Sequence, residues 1–300
     1  MPKFLIRKLR RSDLLDGYKL AMKSVNDLRE RSGRQPWDYI VNEVQPFNNH
    51  LFDTDPDGHW GAFFEGKMIG FCVATIRGRQ WYLGYLFVDP KYQVKGVGRR
   101  MLERAFEYGA HKADSRALAT FPYNETALAL YASFGMMPTW PIFEMEKKIE
   151  KGEKVVKSGL KMVEDKSKKG LGKINRLDRE IRGYTHLPEL QFFATDPKHH
   201  ICHFYDGGEW VGYSVVNNGR MIAPIGAIKQ KYLPDIVQDS YRIAAESGSD
   251  YCRMFIGGPN NAAYTKAIEL GFLIGELTVF CSTKPYGDLY RYCPSHLAIF

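Results

Sequence analysis

The sequence predicts an α/β protein in which a mixed central sheet flanked by helices is built twice along one chain. Three observations carry this reading. Short β-rich runs alternate with longer runs of helical period. A set of local features recurs at a nearly constant offset. The composition can fill two cores: of 300 residues, 44% are hydrophobic, and there are 18 Phe, 18 Tyr and 5 Trp. That content excludes a disordered chain.

The recurrence is local and ordered. Thr54-Asp55-Pro56 precedes an aromatic-rich strand pattern, a turn at Gly66 and the run Gly70-Phe71-Cys72-Val73. Thr195-Asp196-Pro197 precedes a similar strand, a Gly207-Gly208 turn and Gly212-Tyr213-Ser214-Val215. The offset is 141 residues before the turn and 142 after it, so the second copy carries one extra residue. Asn124 and Gly135 bracket a helical stretch as long as that between Asn260 and Gly271. Two copies of one fold follow, assigned to residues 1–150 and 151–300.

Within the first copy the expected order is strand, helix, helix, three strands, helix, strand, helix, strand. Residues 3–9 read as a strand, and Ser12-Asp13 offer capping oxygens to a helix running towards Glu30. A shorter helix is expected from Pro36. Residues 59–64 and 68–76 flank Gly66 as a hairpin. Residues 81–88 form a third strand, stopped by Asp89-Pro90. Residues 98–111 are helical, 116–121 a strand, 125–134 a helix and 140–147 a closing strand. The second copy keeps a hairpin around Gly207-Gly208, a helix over 261–270 and a strand over 273–282.

Charge and cysteine usage bound the function classes. The chain has 42 basic and 34 acidic residues, a net +8. Residues 147–173 hold ten lysines against four acids, which reads as a solvated linker entering an amphipathic helix. No aromatic or arginine is interleaved there for base stacking, so nucleic acid is not an expected partner. The uncharged run 126–143 is broken by Gly135, Pro138 and Pro141, so no membrane span is expected. The N-terminal MPKFLIRKLRR mixes charge into its apolar residues, unlike a secretory signal. Cys72, Cys202, Cys252, Cys281 and Cys293 lie far apart with no CxxC pair, which points to a reducing cytoplasm without disulfides or zinc. His199-His200 lack a third ligand at metal spacing, so no metal is assigned.

The most informative stretch follows the third strand: Leu86-Phe87-Val88-Asp89-Pro90-Lys91-Tyr92-Gln93-Val94-Lys95-Gly96-Val97-Gly98-Arg99-Arg100. A strand runs into a turn, then a glycine loop, then a helix. Backbone N–H groups in such a loop converge on one point, and the helix N-terminus adds about half a positive charge. Gly96 and Gly98 let the backbone approach a pyrophosphate, and Arg99 and Arg100 supply charge beside it. The run lacks the Gly-Lys-Ser/Thr of a Walker loop and the third glycine of a Rossmann fingerprint.

Gln93, Gly96 and Gly98 resemble the Q/R-x-x-G-x-G/A signature of the GNAT superfamily of N-acyltransferases. The preceding FVDP, the following helix and the Asn124–Tyr131 spacing are similar to that family too. The resemblance covers residues 1–147. It implies a tandem GNAT-like protein and acetyl-CoA as co-substrate. By resemblance, main-chain groups of Leu86, Phe87 and Val88 receive the pantetheine arm. The backbone of Val94, Lys95, Gly96, Val97, Gly98 and Arg99 holds the pyrophosphate. Asn124 lies near the pantetheine, and Tyr131 protonates the leaving thiolate. A phenol of pKa near 10 is protonated at pH 7 and suits that role; the alternative is that Tyr131 only packs inside its helix.

The implied reaction is direct attack of a primary amine on the thioester in a ternary complex, the amine belonging to a small molecule, peptide or protein. Two other readings stay open: a longer acyl-CoA, or an acyl-CoA sensor without turnover. The strand 81–88 carries no carboxylate base, leaving His50, Glu144 or a water chain past Tyr82. Tyr39, Trp81, Tyr85, Trp140 and Phe143 read either as acceptor-pocket walls or as core. The second copy is expected to be silent. Its counterpart loop, residues 228–235, has no glycine, so side chains fill the phosphate space; Pro234 lacks an N–H; and Ala267 stands at the position of Tyr131.

Overall fold

Four antiparallel strands and one parallel strand build the first sheet in chain order. They are β1 (Leu5–Lys8), β2 (His59–Phe64), β3 (Lys67–Arg77), β4 (Gln80–Val88) and β5 (Ser115–Thr120). The computed structural model describes residues 4–218 and 220–300; Lys3, the expected first residue of β1, lies outside them. β4 and β5 are parallel, and a parallel pair needs a crossover, supplied here by α3 (Val97–Gly109). α1 (Leu14–Arg31) buries Leu14, Tyr18, Ala21 and Val25, and α1 packs directly on β3. A Cβ on Gly17 would stand 2.3 Å from the Phe71 ring. α2 (Pro46–Thr54) and α4 (Glu125–Ala132) complete the first unit.

Two local expectations differ from the structure. The Asp13 carboxylate accepts from the Arg10 amide at 2.7 Å and from the Arg7 guanidinium at 2.7 Å. It therefore ties β1 to a 3-10 turn ahead of α1 rather than capping α1. Bonding to Arg7 holds its carboxyl below the usual carboxylate range. The second helix begins at Pro46, not Pro36. Asn26 of α1 grips Trp37 by both main-chain groups, donating to its carbonyl at 3.1 Å and accepting from its amide at 2.9 Å. That clamp holds the segment after Pro36 out of helical geometry, and the helix waits for the next proline, which suits a first turn.

The second unit takes the chain from Pro138. Its strands are β6 (Met137–Lys148), β7 (Lys161–Glu164), β8 (His199–Asp206), β9 (Glu209–Asn217), β10 (Met221–Ala227), β11 (Tyr251–Gly257), β12 (Leu273–Ser282) and β13 (Tyr292–Cys293). They run in the order β12-β6-β11-β10-β9-β8-β7, with β13 on β10. The helices are α5 (Lys168–Arg182), α6 (Leu187–Thr195), α7 (Leu233–Glu246) and α8 (Asn261–Glu269). Leu233, Ile236, Val237 and Tyr241 of α7 pack into one core with Ile222, Ile225, Met254 and Ile256.

β6 is the strand that sequence reading gives to the first copy as its closing strand. In the structure it pairs antiparallel with β11 from Ile142↔Gly257 to Lys148↔Tyr251, and so counts with the second unit. The lysine-rich segment is also more than a solvated linker. It contains β7, paired with β8. Lys147 donates to Glu153 and to the Leu270 carbonyl, each at 2.6 Å. Lys173 stands 4.7 Å over Trp210, and burial lowers its ammonium pKa. Among the described residues, no helix is long and apolar enough to cross a membrane.

Candidate active site

The site begins where β4 loses a neighbour. β4 pairs with β5 only from Gln80↔Ser115 to Leu83↔Leu118, while its pairing with β3 continues to Val88↔Gly70. A bulge between Leu83 and Tyr85 marks the divergence. Residues 84–88 thus present one strand edge without a strand partner among the described residues. The Asp89 amide donates to the Ile69 carbonyl at 2.9 Å, which sets the alternation of the ladder. Main-chain groups of Leu86 and Val88 face the open edge, and those of Phe87 face β3. Two of the three residues expected to meet a pantetheine arm therefore offer it their backbone.

The Val88 carbonyl already accepts twice, from the Ser24 hydroxyl and from the Gln93 side-chain amide, each at 3.0 Å. Gln93 so fastens the loop to the strand end. Asp89 accepts from the Lys91 amide at 3.0 Å and pairs with Lys23 at 2.6 Å. The loop then turns through two left-handed residues, Val94 at φ +59° and Gly96 at φ +80°. A Cβ on Gly96 would meet nothing within 4 Å, so its glycine serves the backbone conformation. Lys95 bends back to the Lys91 carbonyl at 2.8 Å.

The first turn of α3 carries unsatisfied donors. Its first intrahelical bond runs from the Arg100 amide to the Gly96 carbonyl at 3.1 Å, and no side chain caps the helix. The N–H groups of Gly96, Val97, Gly98 and Arg99 precede that bond and point out of the helix end. A Cβ on Gly98 would lie 3.6 Å from Val88 and 3.8 Å from Leu130. Strand end, loop and α4 therefore converge at Gly98. Of the two arginines, Arg99 reaches α4, donating to the Ser133 hydroxyl at 2.9 Å, and Arg100 stacks on Phe4 at 4.4 Å.

Asn124 caps α4, its side-chain oxygen accepting from the Ala127 amide at 3.4 Å. Tyr131 follows two turns later and is 5% exposed, one residue from Leu130 and two from Ser133. The sequence-predicted loop residues and the helix bearing Asn124 and Tyr131 are thus assembled at one end of the β4–β5 gap. Ser24, Lys23 and Ser133 were missed by sequence reading, because no motif marks a serine or lysine that holds another residue's backbone or charge. Beside Lys23 lies a shallow groove of about 410 Å³ lined by Lys19, Met22, Lys23, Asn26, Ile40 and Val41.

Several candidates for the acceptor side are reassigned. Trp81 is fully buried and its indole N–H donates to the Ala105 carbonyl at 3.0 Å, so it is core beneath α3. Tyr85 donates to the Asn48 side chain at 3.3 Å and sits edge-on to Tyr18 at 5.3 Å. Tyr39 is exposed and accepts from Gln45 at 3.1 Å. Trp140 and Phe143 fall in the second unit, where Phe143 packs 5.2 Å from Tyr264. Glu144 also lies there, ion-paired to Arg253 at 2.8 Å; burial raises its carboxyl pKa. His50 sits on α2 against Phe47, and Tyr82 is buried.

In the second unit the counterpart loop forms a 3-10 turn over Gln230–Tyr232 and enters α7 with Pro234 in its first turn. A shallow groove of about 570 Å³ borders this loop, lined by Gln230, Lys231, Pro234, Asn261, Thr265 and Tyr290. Ala267 is fully buried. His199 pairs with Asp196 at 3.1 Å and His200 with Glu164 at 3.2 Å.

The GNAT acetyltransferase family matches residues 22–136. The chain is 33% identical over 86 residues to spermine/spermidine N(1)-acetyltransferase of Bacillus subtilis, a stretch covering 25% of this chain and 56% of that protein. The match thus spans about half the length of that curated relative. A candidate acetyltransferase from Pyrococcus horikoshii superposes with a TM-score of 0.78 at 16% identity, over 99% of this chain and 96% of that one. A tandem GNAT protein from the clavulanic acid biosynthesis pathway gives 0.58 at 13% identity, over 94% and 99%. Likeness at such identity is one of fold, and it extends over both units. The loop motif, the open strand edge and the family match all fall in the first unit, and it is residues 22–136 that are similar to the GNAT family of acetyltransferases.

Proposed function

We propose that the first unit moves an acetyl group from acetyl-CoA to a primary amine, and that the second unit has no turnover of its own. The observation that carries this is the convergence at Gly98 of three parts. These are the uncapped first turn of α3, the open edge of β4 and helix α4 with Tyr131. The N–H groups of Gly96 to Arg99 suit a pyrophosphate, with the helix dipole favouring its charge. The backbone of Leu86 and the Val88 N–H suit the amides of an extended arm, as a strand edge suits a peptide. Asn124 stands beside that arm.

In the reaction the amine nitrogen bonds to the thioester carbon, the C–S bond breaks, and the sulfur takes the proton of the Tyr131 hydroxyl. The amine loses its proton to solvent or to a neighbouring base, for which His50 is the side-chain candidate left in this unit. The acceptor class is a small-molecule or peptide amine; the Bacillus subtilis relative bears the name of a polyamine acetyltransferase.

The test is Gly98→Asp. Because a Cβ there makes only ordinary contacts, the variant should fold while placing a negative charge in the phosphate cradle. Calorimetry should show one acetyl-CoA site per wild-type chain and none in the variant. Undiminished affinity would remove the assignment. One observation favours a second reading, an acyl-CoA sensor: β4 carries no carboxylate to act as base. Thiol release from acetyl-CoA across small amines and peptide N-termini separates the two.

A further inference from the structure

The second unit repeats the divergence of strands seen at β4, and its gap is filled. β10 pairs with β11 at Met221↔Arg253 and carries a bulge between Ile222 and Ile225. Past the bulge one edge of β10 still pairs with β9, at Ile225↔Ser214 and Gly226↔Tyr213. The other edge, the one β11 has left, pairs antiparallel with β13 at Ile225↔Cys293 and Gly226↔Tyr292. This edge corresponds to the one that Leu86 and Val88 leave open in β4.

Asn260 gives the equivalence a second, independent support. It caps α8 as Asn124 caps α4, its oxygen accepting from the Ala263 amide at 3.1 Å. Its side-chain NH2 donates to the Tyr292 carbonyl at 3.3 Å and lies 3.6 Å from the Cys293 sulfur. Tyr292 and Cys293 are fully buried, and Leu289 lies 3.3 Å from the Cβ position of Gly257 in β11. The segment therefore meets both diverging strands and the capping asparagine together.

We infer that residues 289–293 are a built-in occupant of the second unit's acyl-CoA cleft, standing where an extended amide-bearing arm would pair with the strand edge. The chain thereby closes this cleft to acyl-CoA itself, independently of the missing glycines in the counterpart loop. The inference rests on the fold shared by the two units and not on turnover in the first, so it can fail or hold separately from the acetyl-transfer reading.

Asn260→Asp tests it in the full chain. The carboxylate keeps the cap acceptor and deletes the donor to Tyr292. Burial pushes the Cys293 thiol up to about 12, so its alkylation by iodoacetamide, read peptide by peptide, reports release of the segment. Cys293 should react at least tenfold faster in the variant, with Cys72 and Cys202 still protected. An unchanged Cys293 rate overturns the inference. If all cysteines react together the variant has unfolded, and the wild-type chain decides by hydrogen exchange with pantetheine as the probe. Ile225 and Cys293 form the hydrogen-bonded pair of this ladder, so their two amides should be protected alike, and saturating pantetheine should change neither. An unprotected Cys293 amide, or new protection over 251–257 when pantetheine is added, overturns it.

Discussion

Arg99 and Ser133 join the Gly96–Gly98 loop to the helix that carries Tyr131: the guanidinium donates to the hydroxyl at 2.9 Å, and the hydroxyl donates to the Leu130 carbonyl at 2.7 Å. The cation therefore sits at the C-terminal end of α4, where the helix dipole is negative. Its ring contact with Phe134, at 5.0 Å, fixes the same geometry.

Arg99→Ala should loosen that joint without removing any backbone donor. A partly exposed charged hydrogen bond contributes about 1 kcal/mol, so KM for acetyl-CoA should rise about fivefold while kcat changes less. Steady-state kinetics with acetyl-CoA varied would show it. An unaltered KM would mean that α4 and the loop keep their relation without this bond.

Tyr131→Phe preserves the ring in a nearly closed site and removes only the proton donor. Turnover should fall about 10²–10⁴-fold, as for loss of a general acid, with acetyl-CoA affinity within about twofold and the melting temperature unchanged. Full turnover in the variant would make Tyr131 a packing residue.

Val94 is a β-branched residue at φ +59° and is 90% exposed. Such a conformation costs about 1 kcal/mol or more, and here no packing offsets it. Val94→Asn, a residue that tolerates left-handed geometry, should stabilise the chain by about 0.5–1 kcal/mol, read from the urea midpoint. A lower midpoint would show that the valine makes a contact worth more than its strain.

His59 gives a pH signature. Its ring is fully buried, with Nδ1 2.9 Å from the Asp55 carbonyl oxygen. Burial lowers its pKa from 6.5 to about 4. The folded state thus favours the neutral ring, so the associated stability is complete above pH 6.5 and is lost as pH falls towards 4. The full effect is of order 3 kcal/mol at about 1.4 kcal/mol per unit. Melting temperature should drop over that window, and His59→Gln should flatten the drop. Parallel curves for the two proteins would assign the acid sensitivity elsewhere.

What could be read in the sequence was local. Gly66 and the Gly207-Gly208 pair locate both hairpins, because a tight turn needs residues that accept positive φ. Gln93, Gly96 and Gly98 locate the loop, because its left-handed turn at Gly96 needs a residue without a Cβ. Alternation also shows that residues 140–147 form a strand. It does not show which strand they join, since period-two patterning specifies a face and not a partner. The same limit hid β13, two residues long, whose extended form depends on an edge about 66 residues earlier, at Gly226↔Tyr292. Trp81 was ambiguous for another reason: a buried indole and a pocket wall look alike until the Ala105 carbonyl is found at its N–H.

The placement of β6 bears on any attempt to dissect the chain. A cut in the lysine-rich stretch near residue 150 looks natural from composition. It would nonetheless strip the second sheet of an inner strand, since β6 lies between β12 and β11. A fragment beginning at residue 151 would expose two long unpaired edges, the kind that template aggregation. Separate expression of the two halves should respect residue 137 rather than the lysines, with the strand travelling alongside the sequence it was written before.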